Sequence, residues 1–301
     1  MGTPEFAVPS LERLVENGYT PVAVVTGPDR QRGRGRKRSP TPVKEAALRL
    51  GIERIVQPES VKDPAFAEEI TALEPDVIGV VAFKILPPAV YTPARKGAFN
   101  LHGSLLPRYR GAAPIQRAVM AGETETGVTT FFLKKKGDTG DMILQWPMSM
   151  GPDETAGEVH DRMMELGAEA VLETVRRIDA GTAETHPQDE SVASPAPKIF
   201  PEDGRIAWEG PAEAVHNHVR GLSPYPGAWT HHGETLLKIY RTRRATGSGA
   251  PGAVIEAGPR LVVACGEGAV EVLELQQQGR RRLEAIAFLN GYDLPVGVRW
   301  V

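Results

Sequence analysis

Asn100 and His102 stand two residues apart in "NLHGSLLPRYRGAAPI" (100–115), followed at once by Gly, Ser, Leu-Leu-Pro and a basic, Gly-rich turn. A β-strand sends alternate side chains to opposite faces, so Asn100 and His102 point one way and Leu101 the other. His is the side chain whose charge changes near neutral pH. An Asn amide can donate to an oxygen that gains negative charge during a reaction. Two such groups at a strand end, opening into an irregular loop, is how α/β enzymes assemble sites.

A carboxylate to complete the pair comes from "GDTGD" (137–141), between two apolar runs. Asp138 could accept a proton or hold His102 protonated. Asp141 is its rival, although it opens an apolar strand and could equally cap the turn. The residues alone leave both open. A third cluster is "GPDRQRGRGRKRSPTPVK" (27–44), dense in Arg and Lys. Such a run reads either as a solvated loop or as guanidinium groups on a Gly-rich backbone that follows a phosphodiester chain. No phosphate-cradling GxxxxGK[ST] or GxGxxG fingerprint follows a strand, which argues against a nicotinamide dehydrogenase. "HNH" (216–218) and "HH" (231–232) lack Cys or carboxylates at ligand spacing, so no metal is expected.

The elements that must position these groups follow from periodicity. "TPVAVVT" (20–26), "PDVIGVVAF" (75–83) and "GAFNLH" (97–102) read as apolar strands, alternating with helices near 43–51 and 63–74. That pattern belongs to a parallel sheet covered on both faces. Strands at 127–133 and 141–148 flank the "KKKGDTG" turn, and a long helix spans 155–181. Residues 182–204 are polar and proline-rich and read as a linker. A short helix at 211–221 and brief strands with Gly-rich turns then suggest a small β-barrel. The expected division is 1–181, 182–204 and 205–301.

The opening "MGTPEFAVPSLERLVENG" goes from a Gly-rich turn straight into a helix, with no strand before it. In a doubly wound fold that turn follows the first strand. The expectation is therefore an open lane near 20–26 and 75–83, a poorly stable chain, and a natural reading frame extending upstream by about half a dozen apolar, β-branched residues.

With 301 residues and a net charge of -3, the chain can hold two domains and is not a generally basic nucleic-acid coat. Its single cysteine, Cys265, excludes an internal disulfide and fits a reducing cytosol. No apolar run is long enough for a membrane span.

The stretches "GTPEFAVPSLERL", "PDRQRGRGRKRSPTPVK", "VVAFKILPPAVY", "FNLHGSLLPRYRGAAPIQRAVMAGETETGVTT", "DTGDMI" and "RGLSPYPGAWT" together resemble the methionyl-tRNA formyltransferase family along essentially the whole chain. The resemblance implies a Rossmann-like formyltransferase domain and an OB-like, tRNA-binding C-terminal barrel. It implies a catalytic trio of Asn100, His102 and Asp138, which decides between the two carboxylates. It implies folate contacts from Ser104, Leu105, Leu106 and Pro107. The basic insertion would meet tRNA through Arg30, Arg32, Arg34, Arg36, Lys37 and Arg38, with Arg34 at the acceptor end. The formyl donor would be 10-formyltetrahydrofolate, with tetrahydrofolate as product and initiator methionyl-tRNA as acceptor. The expected protein is a cytoplasmic monomer needing neither metal nor nicotinamide. Two rivals remain: a folate formyltransferase acting on a small amine, and a tRNA-binding module without catalysis.

Overall fold

A computed structural model of the chain describes residues 1–32 and 37–301. It divides into two compact units, one of residues 1–111, 127–148 and 160–195, the other of 112–126, 149–159 and 196–301.

The first unit carries the parallel strands anticipated from the apolar runs. β1 (Val24–Val25) is followed by the ribbon strands β2 (Arg30–Arg32) and β3 (Lys37–Ser39), and β4 (Ile55–Val56) returns to pair with β1 in parallel. β5 (Ile78–Val81) pairs in parallel with β6 (Ala98–His102), and β6 pairs antiparallel with β8 (Glu125–Phe132), beyond which lies β9 (Met142–Ser149). The short strand β7 (Arg110–Gly111) lies in the loop after β6.

Helices cover these strands because their apolar stripes require it. They are α1 (Val8–Glu16), α2 (Pro42–Arg49), α3 (Pro64–Thr71), α4 (Pro88–Tyr91) and most of α6 (Ala156–Ala180). Two of them start at a capping side chain followed by proline. Thr41 Oγ1 accepts from Lys44 N at 3.1 Å, and Asp63 Oδ1 accepts from Ala65 N at 3.0 Å. These caps satisfy amides that the first helical turn leaves without partners.

β1 and β5 do not pair with each other. Between them stand only Met1 and Gly2 among the described residues. Gly2 N donates to Val25 O at 2.9 Å, Val81 N donates to Met1 O at 2.9 Å, and the Met1 amine donates to Gly79 O at 2.7 Å. Burial pushes that amine down from 8.0 to about 5. The rest of the lane is a crevice of about 420 Å³ lined by residues that include Leu11, Val24, Ile70, Ile78, Phe99 and Val171.

The chain leaves the first unit through β10 (Pro195–Ala196). The second unit is built on one mostly antiparallel sheet. β11 (Ala228–His232), β12 (Thr235–Ala245), β15 (Ala269–Gln277), β14 (Leu261–Ala264) and β13 (Val254–Ala257) lie in that order, and β16 (Leu283–Glu284) pairs with β15. Register shifts at Ile239, Arg241 and Thr242 mark a bulge in β12, a device that bends a sheet. The core under it joins Trp208, Trp300, Leu237, Ile239, Leu261 and Leu275 to α7 (Ala212–Gly221) and α8 (Ala285–Leu289). Met120, the last residue of α5 (Pro114–Met120), packs on the same core. Cys265 is buried here, and burial pushes its thiol up to about 11. No helix among the described residues is long and apolar enough to cross a membrane.

Candidate active site

β6 places Asn100 and His102 on one face. Asn100 lies opposite Val80 and Phe131 in the two flanking strands, and His102 lies opposite Thr129. Leu101 points the other way and packs onto Gly167 of α6, where a Cβ would come within 2.7 Å of its Cδ2. His102 is 6% exposed, and its Nε2 lies 2.8 Å from Tyr109 O. A carbonyl can only accept, so Nε2 carries the proton and Nδ1 is the ring nitrogen left for other chemistry.

The Leu-Leu-Pro loop is held from inside. Ser104 Oγ donates to Arg108 O at 2.6 Å. Thr129 Oγ1, fully buried on β8, donates to Ser104 O at 2.7 Å and accepts from Leu106 N at 3.0 Å. Gln145 Nε2 donates to Leu106 O at 2.6 Å. Of the four residues that the resemblance gives to folate, Leu105 is partly open, while Ser104, Leu106 and Pro107 are buried and shape the loop. Thr129 and Gln145 escaped the sequence reading. Their positions within apolar strands gave them no mark beyond being polar.

Asp138 sits in the β8–β9 turn with φ 55°, in the left-handed region. Its Oδ2 accepts from Gly111 N at 3.0 Å. His102 and Asp138 are thus each tied to the backbone of one short stretch, Tyr109 to Gly111. The turn also requires Gly140, where a Cβ would fall 1.6 Å from Phe132 O. Asp141 is engaged elsewhere: its Oδ1 accepts from Lys134 Nζ at 2.8 Å across the base of the turn.

The segment read as a linker fastens this loop. Arg110 N donates to Ser194 O at 2.8 Å, Tyr109 N to Ser194 Oγ at 2.9 Å, and Ser194 N to Pro107 O at 3.2 Å. Arg110 is only 14% exposed and grips both oxygens of Glu190, at 2.7 and 2.9 Å, which holds that carboxyl below its usual range.

The basic cluster begins as an antiparallel ribbon, with Arg30 opposite Ser39, Gln31 opposite Arg38 and Arg32 opposite Lys37. Arg30 and Arg38 are exposed. Arg34 and Arg36 lie outside the described residues. The ribbon is rooted by Lys44, whose Nζ donates to Asp29 Oδ2 and Gln57 Oε1 at 2.7 Å each, while Gln57 Nε2 donates to Asp29 Oδ1 at 2.8 Å. The hydrogen bond from Gln57, and then that from Lys44, hold the Asp29 carboxyl below its usual range. In "HNH", His216 is occupied by the protein itself: Nε2 lies 3.0 Å from Pro152 O and Nδ1 lies 3.0 Å from Thr242 Oγ1.

Comparison with known proteins agrees with this architecture. Residues 1–175 match the family described as formyl transferase, and residues 198–293 match the formyl transferase C-terminal domain. The methionyl-tRNA formyltransferase of Chlorobium luteolum is 50% identical over 300 residues, covering 97% of this chain and 95% of that protein. That of Caldanaerobacter subterraneus is 46% identical over 301 residues, covering 99% and 97%. Among solved structures, an N-formyltransferase from Helicobacter canadensis superposes with a TM-score of 0.69 over 90% of this chain and 96% of that one, at 19% identity. The methionyl-tRNA formyltransferase from Clostridium thermocellum does so with 0.51 over 66% and 86%, at 17% identity. At such identities the solved structures speak for the fold alone. By fold and by family model, then, the chain is a formyl transferase. Its relatives narrow this further, and it belongs to the methionyl-tRNA formyltransferase family.

Proposed function

We propose that this chain transfers the formyl group of 10-formyltetrahydrofolate to the α-amine of methionyl-initiator tRNA. The observation that carries the reading is the shared face of Asn100 and His102, joined through the Tyr109–Gly111 stretch to Asp138. The amine attacks the formyl carbon, forming the new C–N bond. The bond from that carbon to N10 of the folate then breaks, and N10 takes up a proton as tetrahydrofolate leaves. The Asn100 amide donates to the oxyanion of the tetrahedral intermediate. Since Nε2 of His102 is committed to Tyr109 O, its donation to that oxyanion comes from Nδ1, which bears a proton only in the imidazolium. The Asp138 carboxylate accepts the amine's proton through the oxygen not held by Gly111.

The Leu-Leu-Pro loop forms an apolar wall for the pterin, with Leu105 touching it and Ser104, Leu106 and Pro107 fixing its shape. The basic segment follows the tRNA backbone through Arg30, Arg32, Arg34, Arg36, Lys37 and Arg38. Residues 1–181 make the catalytic domain, 182–204 the connection, and 205–301 an OB-like domain that helps hold the tRNA. The protein works in the cytoplasm as a monomer. The test is formylation of charged initiator tRNA with 10-formyltetrahydrofolate, with charged elongator tRNA and small amino sugars as alternative acceptors. Transfer to the small amines alone, or tRNA binding with no transfer in a single turnover, would overturn the proposal.

A further inference from the structure

The side-chain amide of Gln188 touches four atoms around the Asp138 turn. Its Nε2 donates to Asp138 O and to Gly140 O, each at 2.9 Å. Its Oε1 accepts from Arg110 Nε at 3.0 Å and from Arg110 Nη2 at 2.7 Å. Both protons of the amide and both lone pairs of its oxygen are engaged, and only one orientation of the amide satisfies them, because carbonyls cannot donate and a guanidinium cannot accept. Asp138 itself holds a left-handed φ of 55°, which costs energy for any residue with a Cβ and persists only where the surroundings over-determine it. Its carbonyl is fixed by Gln188 and its carboxylate by Gly111, the residue next to the arginine that Gln188 grips.

We infer that Gln188 is a positioning residue for the formyl-transfer step: it locks the Asp138 turn to the Arg110 strand, so that the carboxylate meets the amine in a fixed geometry. The inference rests on the role proposed above for Asp138. Arg110 belongs to the same brace and is itself anchored by Glu190 and Ser194.

Two substitutions test it. Gln188→Ala removes the brace. Gln188→Glu keeps its size and its pairing with Arg110, and so the fold, but turns an oxygen toward two carbonyls. Misplacing a reacting group by about 1 Å costs up to about 100-fold in rate. Both variants are therefore expected to lose about 10- to 100-fold in kcat, with KM for tRNA and folate within about twofold and, for Gln188→Glu, an unchanged melting temperature. The decisive measurement is a double-mutant cycle in single-turnover assays. A residue acting through Asp138 costs nothing further once Asp138→Asn has removed the carboxylate. An equal penalty in both backgrounds, a wild-type kcat in the Gln188 variants, or a kcat loss that merely tracks melting temperature would each overturn the inference. Near wild-type turnover in Asp138→Asn would instead remove Asp138 from the mechanism, a failure recognisable as that of the underlying proposal.

Discussion

At the scale of single residues, the site separates groups that act from groups that hold. On the proposed oxyanion role, Asn100→Ala and His102→Ala each remove a donor, and each is expected to lower kcat by about 10²–10³. Binding of tRNA, measured by filter retention, should stay within about twofold, since neither residue lies on the basic ribbon. A near wild-type kcat in either variant would exclude the oxyanion role. The two carboxylates of the turn should behave unequally. Asp138→Asn is expected to be severe and Asp141→Asn mild, because the Asp141 carboxylate pairs with the exposed Lys134. The reverse order would move the chemistry to Asp141.

At the scale of elements, the basic ribbon and the open lane each carry a prediction. Arg30 and Arg38 are exposed on paired strands. If each meets one phosphate, Arg30→Ala and Arg38→Ala should each reduce the slope of log affinity against log salt by about one. An unchanged slope in both would reduce the ribbon to a solvated surface. The lane between β1 and β5 has apolar walls, and among the described residues only Met1 and Gly2 bond to its strand edges. A chain carrying about six apolar, β-branched residues ahead of Met1 should lay them there as a strand. It would also replace the buried Met1 amine by an uncharged amide. The expected result is a clear rise in melting temperature, and equal melting of both lengths would show that the lane does not accept a strand.

The strands, the face shared by Asn100 and His102, and the Asp138 turn were legible in the sequence because apolar runs and two-residue alternation report burial directly. The charges of the ribbon were legible but its strand pairing was not, since that pairing is carried by backbone groups that the Arg and Gly side chains do not reveal. Gln188 and Ser194 were hidden in a segment judged by its polar, proline-rich composition. A polar side chain that reaches a carbonyl some 50 positions away, as Gln188 reaches Asp138, leaves no local pattern.

At the scale of the whole molecule, stability should fall in mild acid because of α7. Burial lowers the pKa of His216 from 6.5, outweighing the Pro152 carbonyl and the Asp153 carboxylate and reinforced by Arg220 and Arg244. His218 on the same helix is lowered by burial as well. Both bind a proton less readily in the folded protein than once unfolded. Their contribution is complete above the unfolded value of 6.5 and is lost as pH falls below it, levelling off beneath the depressed folded values. Melting temperature should therefore be flat above about pH 7 and decline below it, and His216→Gln should make that decline shallower. A decline of the same steepness in the variant would place the acid sensitivity elsewhere.

The burial of Cys265 has a practical corollary. With its thiol raised from 9.0 to about 11, thiolate at neutral pH is scarcer by about a hundredfold than at an ordinary cysteine. Buried as well as poor in thiolate, Cys265 is expected to react slowly with maleimide dyes. A cysteine introduced at Ser39, opposite Arg30 at the base of the ribbon, would take up a fluorophore almost alone. If the ribbon meets tRNA as proposed, its emission would report the arrival and departure of tRNA in real time, with no native cysteine first removed.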